Sequence, residues 1–267
     1  MNSVVQYYEI IDEASRFSRN SRKIEFLTST HVISSLLPSH AKILDVGAGP
    51  GAYSFYYAER HYDVTSIDLT PKHIEQINKE SEEKHLALNA YVGNATDLSR
   101  FESETFDFVM CFGPLYHIID SNERDKCIKE CLRVLKSGGH LAIAYLSKYA
   151  VIPMLATREK TFIRNSVIEK VINQGIIIDG DQDCFWTDAY FTSPEDIETL
   201  MKNYGVSTID HVGTDGISHT IQEYIDALSD EEFHSWMDYH FLTCREKSIL
   251  GLSTHGLYIC KKTNGHQ

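Results

Sequence analysis

The chain has 267 residues, of which 42% are hydrophobic and 24% charged, and its formal net charge at pH 7 is −13. This length and apolar content suit one large globular domain, or one domain with a modest insertion. The excess of acidic residues argues against the basic surface typical of nucleic-acid-binding proteins. We therefore expect a small-molecule partner and no nucleic acid.

The N-terminus and the cysteines favour a cytoplasmic location. The first segment, "MNSVVQYYEIIDEASRF", lacks the basic start and apolar centre of a signal peptide, and no apolar run reaches about 18 residues. The six cysteines form no CxxC pair, and no second pair lies near Cys127 and Cys131 to complete a zinc site. We expect buried free thiols, no metal and no membrane contact, whereas the sequence does not indicate an oligomeric state.

Between residues 42 and 146 the sequence alternates short β-branched runs with helical stretches. Strands are predicted at 42–47, 63–68, 87–93, 106–113 and 140–146, and helices at 52–60, 71–84 and 121–135. This alternation is typical of βαβ units, so we expect a doubly wound parallel α/β sheet covered on both faces. Thr70 before Pro71, Ser193 before Pro194, and the pair Gly138–Gly139 are predicted helix boundaries.

The two ends of the chain differ from this regular middle. Two helices are predicted within residues 3–37. The predicted elements of the last part are a helix at 153–173, strands at 184–191, 206–212 and 256–262, and a helical insert at 218–250. Its aromatic residues suit either a substrate pocket or an ordinary core, and they are Phe185, Trp186, Tyr190, Phe191, Trp236, Tyr239 and Phe241.

The segment "ILDVGAGPGAYS" places three glycines directly after the first predicted strand. Gly47 permits a sharp turn, Gly49 lets backbone N–H groups approach a ligand, and Gly51 opens a helix whose N-terminus faces the same crevice. The spacing of Gly47, Gly49 and Ala52 also fits the dinucleotide fingerprint, and Asp68 follows at the offset of a ribose-binding carboxylate. On these residues alone, an NAD-dependent oxidoreductase is an alternative.

Five segments together resemble the class I S-adenosylmethionine-dependent methyltransferases in order and spacing. They are "DVGAGPGAYS", "VTSIDLTP", "YVGNATDLS", "FDFVMCFGPLYHI" and "CLRVLKSGGHLAIAY". The flanking segments "RFSRNSRKIEFLTS" and "WMDYHFLTCREKSILGLSTHGLYICKK" resemble a group of uncharacterised bacterial small-molecule methyltransferases. The resemblance implies transfer of a methyl group from S-adenosylmethionine to a small-molecule acceptor by in-line displacement. A cofactor-binding module without turnover is a further alternative.

The resemblance also implies a division of the chain into three parts. Residues 1–39 form an N-terminal helical cap, and residues 40–147 form the S-adenosylmethionine-binding core. Residues 148–267 complete a seven-stranded Rossmann-like sheet and add an insert that forms the acceptor pocket.

Most of the cofactor contacts implied by the resemblance lie where the strands end, and Arg19 lies in the segment before the first strand. The expected contacts are Arg19, Gly47, Ala48, Gly49, Gly51, Asp68, Leu69, Asn94, Ala95, Thr96, Cys111 and Phe112. Asp68 is expected to hold the ribose hydroxyls, and Asn94 stands where the family often has Asp. Either Arg16 or Arg19 could pair with the methionyl carboxylate, and the family's flank favours Arg19.

His117 and Tyr116, in "GPLYHI" after the fourth strand, are the expected catalytic residues. Histidine is the side chain most easily tuned to neutral pH, so His117 is either a general base or a structural residue of the loop. Tyr7, Tyr8 and Tyr116 could attract a sulfonium through their ring faces or orient the acceptor with a phenol oxygen, although packing alone also explains Tyr7 and Tyr8. The other histidines show no metal-binding spacing.

Overall fold

The computed structural model describes residues 3–263, and nine strands lie within that range. The strands are β1 (Lys42–Val46), β2 (Asp63–Asp68), β3 (Leu88–Val92), β4 (Phe106–Cys111), β5 (Leu135–Ser147), β6 (Ile176–Ile177), β7 (Ala189–Thr192), β8 (Val206–Gly213) and β9 (His255–Lys262). The helices are α1 (Ser3–Ile10), α2 (Asn20–Ser34), α3 (Ala52–Ala58), α4 (Pro71–Glu83), α5 (Pro114–His117), α6 (Ser121–Val134), α7 (Lys148–Arg158), α8 (Asn165–Glu169), α9 (Pro194–Met201), α10 (Gln222–Asp226), α11 (Asp230–Thr243) and α12 (Lys247–Leu252).

The main sheet has the strand order β3-β2-β1-β4-β5-β9-β8. Strands β1 to β5 are parallel, whereas β9 is antiparallel to both β5 and β8. The order reverses between β1 and β4, which is where ligands bind in open α/β sheets. The expected doubly wound Rossmann-like fold is therefore confirmed.

A short hairpin of β6 and β7 adds two strands to the seven that the sequence predicts. β7 runs parallel to the last two residues of β5, with Leu146 opposite Phe191. Because β9 occupies the other side of Leu146, β7 lies on the side where β4 has already ended. The hairpin therefore stands beside the loop that follows β4.

Alternating residues of the strands pack into two separate apolar layers. Leu44 and Val46 belong to a cluster with residues of α6 and α9, whereas Ile43 packs with residues of α2, α3 and α4. All three side chains are fully buried. A parallel strand that is buried on both faces is rich in apolar residues, as β1 is apart from the buried Asp45, which accepts a hydrogen bond from the hydroxyl of Ser54.

The sequence predictions for the last third of the chain are corrected in detail. The predicted helix at 153–173 is divided into α7, a 3₁₀ turn (Lys160–Phe162), α8 and a π-helical turn (Lys170–Gln174). The strand predicted at 184–191 is reduced to β7, because Arg164 and Lys170 hold Asp183 in an irregular loop. The helical insert is likewise divided into a 3₁₀ turn (Ser218–Thr220), α10, α11 and α12.

The predicted helix boundaries have different outcomes. Pro71 is the first residue of α4, but Thr70 makes no side-chain capping bond. Ser193 caps α9, and its Oγ accepts a hydrogen bond of 3.1 Å from the backbone N of Asp196. Gly138 lies inside β5, because α6 passes directly into that strand at Leu135. Among residues 3–263, no helix has the length and apolar character needed to cross a membrane.

Candidate active site

A cavity of about 350 Å³, here called the first cavity, lies at the carboxyl ends of β1, β2 and β4. The sequence-predicted site residues that line it are Gly47, Gly49, Asp68, Leu69, Asn94, Ala95, Thr96, Phe112, Tyr116 and His117. Four other predicted contacts, Arg19, Ala48, Gly51 and Cys111, do not line it. The structure therefore brings most of the predicted residues to one site.

The glycines after β1 differ in what surrounds them. Gly47 has a φ of +79°, and a Cβ there would lie 2.4 Å from Cδ of Pro114. Gly49 has a φ of +55°, and a Cβ there would meet no atom within 4 Å because it would enter the first cavity. A Cβ on Gly51 would lie 2.8 Å from Cγ1 of Ile77, so Gly51 serves the packing of α3 on α4 and not the cavity.

Asp68, the last residue of β2, joins the loops on both sides of it. One carboxylate oxygen accepts a hydrogen bond of 2.8 Å from the backbone N of Gly49. The other accepts one of 2.8 Å from the backbone N of Thr70, and lies 3.2 Å from Nδ1 of His73. The same carboxylate lines the first cavity, so it can both shape the glycine loop and meet a ligand hydroxyl.

Asn94 contributes to the first cavity mainly through its loop. Its side-chain oxygen accepts a hydrogen bond of 3.1 Å from the backbone N of Thr96. This local turn holds Ala95 and Thr96 against the cavity. The side-chain oxygen of Asn94 is thus already engaged within the loop.

Arg16, and not Arg19, lies at the cavity. Arg19 is the exposed residue before α2, and it lines neither this cavity nor its neighbour. Arg16 donates to Oε1 of Glu13 at 2.8 Å and to both carboxylate oxygens of Glu25. Burial opposes its charge, but these two carboxylates raise the pKa of Arg16 well above its usual value. Of the two arginines considered for the methionyl carboxylate, only Arg16 therefore lies where it could reach a ligand in the first cavity.

The side chain of Cys111 points into the core. Its sulfur lies 3.9 Å from that of Cys127, and the three sulfurs of Cys111, Cys127 and Cys131 lie within 4.8 Å of one another. All three thiols are buried beneath the sheet in one apolar cluster. Three sulfur ligands are one fewer than a structural zinc site needs. We therefore treat the cluster as core packing.

His117 is half-buried between the hairpin and α1, with both ring nitrogens engaged. Nδ1 lies 2.9 Å from the backbone oxygen of Asp188, which can only accept, so Nδ1 carries the proton. Nε2 is then free to accept from the hydroxyl of Tyr8, 3.0 Å away. Burial lowers the pKa of His117 to about 4, so the ring is neutral at physiological pH.

A second cavity, of about 410 Å³, adjoins the first. Four side chains line both cavities, namely Tyr8, Glu13, Arg16 and Tyr116. The remaining walls come from α1, α2, the end of β5, α7, the region of β7, the segment between β8 and α10, and the start of β9. The cavity therefore combines residues from near both ends of the chain, which only the tertiary fold brings together.

The predicted aromatic cluster is divided by the fold. Phe185, Trp186 and Phe191 line the second cavity, as does Tyr7. The rings of Trp186 and His117 are 4.8 Å apart between centroids. Trp236 and Phe241 instead pack with α2 in a separate apolar cluster. Of the predicted aromatic residues, those in and before β7 therefore line a pocket, whereas Trp236 and Phe241 belong to the core.

Sequence reasoning missed several residues of these two cavities. His73, Pro114 and the backbone of Asp188 belong to the first cavity, and Arg22 and Arg158 belong to the second. Pro114 had a local signal, since it directly follows Gly113 at the end of β4. The two arginines had none, because only the tertiary fold brings α2 and α7 together.

Comparison with known proteins agrees with this geometry. Residues 44–143 match the model of a methyltransferase domain family. The chain is 32% identical over 118 residues to a ubiquinone biosynthesis O-methyltransferase of Xanthomonas axonopodis pv. citri, which covers 44% of this chain and 48% of that protein. The chain thus spans about half the length of the curated relatives it matches.

Solved structures share the fold over a larger part of the chain. A methyltransferase from Methanosarcina mazei described as SAM-dependent superposes with a TM-score of 0.60, at 21% identity, over 88% of this chain and 98% of its own. The [4+2]-cyclase SpnF superposes with a TM-score of 0.56, at 17% identity, over 90% and 81%. At such identities, the superpositions show the fold alone. Residues 44–143 therefore match a methyltransferase domain, and the chain as a whole has the fold of these solved structures.

Proposed function

We propose that this chain transfers the methyl group of S-adenosylmethionine to a small-molecule acceptor. The cofactor is proposed to occupy the first cavity, and the acceptor the second. The observation that carries this proposal is the contact between the two cavities across Tyr8, Glu13, Arg16 and Tyr116. Methyl transfer needs two ligands that meet at one point, and this wall is where they can meet.

The residues of the first cavity fit the proposed cofactor by their chemistry. Gly49 leaves open space where a side chain would otherwise stand, so the backbone can approach the methionine part. Asp68 offers a carboxylate for the ribose hydroxyls, and the exposed Leu69 offers an apolar surface for the adenine. Arg16 takes the role first expected of Arg19, that of facing the methionyl carboxylate.

When bound, the cofactor supplies a methyl group on a positively charged sulfur. The chain's own contribution is to align the acceptor with the methyl–sulfur bond and to exclude water. Tyr8 and Tyr116 present aromatic rings at the wall, and such rings attract a cation. Burial raises the pKa of Tyr116 to about 12, so it remains a neutral phenol.

We propose that His117 is a positioning residue rather than a direct base. Its Nε2 is occupied by the Tyr8 hydroxyl, and its lowered pKa makes it a weak proton acceptor. It fixes the direction of that hydroxyl, whose oxygen keeps a lone pair for the acceptor. Tyr8 and Tyr116 then replace His117 as the residues nearest the proposed transfer.

The parts of the chain have corresponding proposed roles. Residues 40–147 provide most of the proposed cofactor site, to which Arg16 of the N-terminal part also belongs. The N-terminal part (1–39) and the C-terminal part (148–267) provide most of the proposed acceptor pocket. The net charge of −13 supports a small acceptor over a nucleic acid. The cysteines of residues 3–263 are all free thiols, which supports a reducing compartment such as the cytoplasm.

Turnover with a panel of small acceptors tests this proposal. We expect one class of acceptor to give S-adenosylhomocysteine together with a singly methylated product, both detected by mass spectrometry. Asp68→Asn should slow both signals equally. Tight cofactor binding with no methylated product from a broad panel would favour the non-catalytic module. Binding of NADH in place of S-adenosylmethionine would favour an oxidoreductase, which the domain match does not.

A further inference from the structure

The second cavity contains two arginines whose charges no neighbouring group pairs. Arg22 of α2 and Arg158 at the end of α7 both line it. Neither guanidinium has a hydrogen bond or an ion pair with any residue from 3 to 263, although Arg16, which also lines this cavity, has two carboxylate partners. Arg158 remains exposed to solvent in part. Its partial burial and then the repulsion from Arg22 lower its pKa to about 10, against an opposing effect of Asp215.

The carboxylates that line the same cavity are engaged elsewhere. Glu13 and Glu25 are both bound by Arg16. Asp215 accepts from the hydroxyl of Ser253, from the backbone N of Thr254 and from Nδ1 of His255, while Glu159 accepts from the hydroxyl of Thr161. The two unpaired cations therefore lie beside acids that already have donors.

Three side chains of this cavity also bear buried polar atoms without a partner in the described chain. They are Nε of Arg16, Nε2 of His219 and Oγ1 of Thr254. His219 is 5% exposed, and its Nδ1 lies 3.1 Å from the backbone oxygen of Gly216, which leaves Nε2 as the unpaired atom. Native proteins rarely leave buried polar atoms unsatisfied. Their concentration here indicates a ligand with polar or charged groups.

Resting on the proposed function, we infer that the methyl acceptor carries an anionic group, a carboxylate or a phosphate, that Arg22 and Arg158 bind in the second cavity. Both arginines lie outside the wall shared with the first cavity, so the anion would sit away from the reacting atom. Phe185, Trp186 and Phe191 would cover the apolar body of the acceptor. An anion removes the repulsion between the two guanidinium groups, whose planar forks suit carboxylate and phosphate oxygens.

Ligand-observed NMR with the full chain tests this inference without turnover. The probes are benzoate, phenyl phosphate and the neutral benzamide, each titrated into protein saturated with S-adenosylhomocysteine. We expect one anion to bind about tenfold more tightly than benzamide or better, because charge-assisted hydrogen bonds are stronger than neutral ones. The better anion identifies the group as carboxylate or phosphate.

Variants assign the effect to the two arginines. Arg22→Gln and Arg158→Gln should each weaken binding of the preferred anion about tenfold, and leave benzamide and S-adenosylhomocysteine unaffected. Arg60→Gln is the matched control, since Arg60 is exposed, lines neither cavity and donates to the backbone oxygen of Tyr56. Thermal unfolding of each variant checks that the fold is intact.

The inference is overturned if both anions bind no better than benzamide, if no probe binds, or if the arginine variants bind the anions as the wild type does. A separate titration with S-adenosylhomocysteine tests the proposed function independently of the anion preference. Failure of that ligand to bind contradicts the proposed function, whereas the anion preference can still be measured on the protein alone.

Discussion

Asp68 joins the strand, the glycine loop and the cavity through one carboxylate. The sequence predicts its position at the end of β2, and the structure adds its bonds to the backbone of Gly49 and Thr70. Those bonds could not be predicted, because the spacing of residues does not specify which backbone groups a carboxylate meets. The residue therefore has a structural role and a proposed binding role at once.

Replacement of Asp68 tests the second role. Asp68→Asn should raise the Kd for S-adenosylmethionine about 10- to 100-fold, because the amide cannot accept through both of its atoms and has no charge. Isothermal titration calorimetry measures this effect. Asp63→Asn, at the exposed start of the same strand, is the control and should leave the Kd unchanged. Equal effects of the two substitutions would exclude a specific role for Asp68.

The pair of Tyr8 and His117 makes a second prediction at the residue scale. Tyr8→Phe should lower kcat about tenfold or more, with little change in cofactor affinity, because it removes the hydroxyl at the shared wall. His117→Gln should have a smaller effect, since it only positions that hydroxyl. In the double variant the two losses should not add, as expected for groups joined by one hydrogen bond. If steady-state kinetics instead show that the losses in kcat add, Tyr8 and His117 act independently and the account of His117 is wrong.

Among the elements, the glycine loop after β1 combines two different requirements. Gly47 faces Pro114, and Gly49 faces the first cavity, although both have a positive φ. The sequence pattern predicts the turn and the approach to a ligand. It does not separate Gly51 from the other two, because its contact with Ile77 depends on how α4 packs.

Alanine substitutions distinguish these glycines. Gly47→Ala should destabilise the fold by about 2 kcal/mol or more, because the new methyl group overlaps Pro114 in a strained backbone. Gly49→Ala should cost only about 1 kcal/mol of stability, yet raise the cofactor Kd at least tenfold, since its methyl group occupies the cavity. Urea unfolding and calorimetry together measure both effects. A stable Gly47→Ala variant, or normal binding by Gly49→Ala, would contradict this account.

Elements of the central sheet are predicted within a few residues, whereas the flanking elements are not. β2 matches its predicted range, and α4 begins at the predicted proline. The helix predicted at 153–173 is broken because ion pairs from Arg164 and Lys170 to Asp183 hold the neighbouring loop. Such tertiary contacts override local helical periodicity.

For the whole molecule, the second cavity is the feature that sequence could least predict. Its lining residues come from distant parts of the chain, including α1 and α2, the end of β5, α7, the region of β7, the segment after β8 and the start of β9. Motifs report residues that are close in sequence, so they find the first cavity and not the second. The resemblance supplied the presence of an acceptor pocket but not its residues.

The free energy of unfolding depends on pH through every group whose pKa changes on folding, and Asp45 and His117 have opposite effects. Burial raises the pKa of Asp45 from 3.8 to about 7 and lowers that of His117 from 6.5 to about 4. Between pH 7 and pH 5 the folded state takes up a proton on Asp45 that the unfolded state does not, so acid stabilises the fold there. His117 stays neutral in the fold while it is protonated in the unfolded chain, so acid destabilises the fold.

Single substitutions separate these contributions. Relative to the wild type, Asp45→Asn should lose about 2 kcal/mol of unfolding free energy on going from pH 8 to pH 5, and His117→Gln should gain a similar amount. Urea unfolding at both pH values provides the measurement. Changes of the same sign in the two variants would show that these side chains do not titrate as the structure implies.

The central claim is that the first cavity binds S-adenosylmethionine. The most direct test is calorimetric titration of the purified protein with S-adenosylmethionine, S-adenosylhomocysteine and NADH in parallel. We predict binding of the first two, its loss in Asp68→Asn, and no binding of NADH. Binding of NADH alone would contradict the account and would make the GxGxxA spacing of Gly47, Gly49 and Ala52 a true dinucleotide fingerprint.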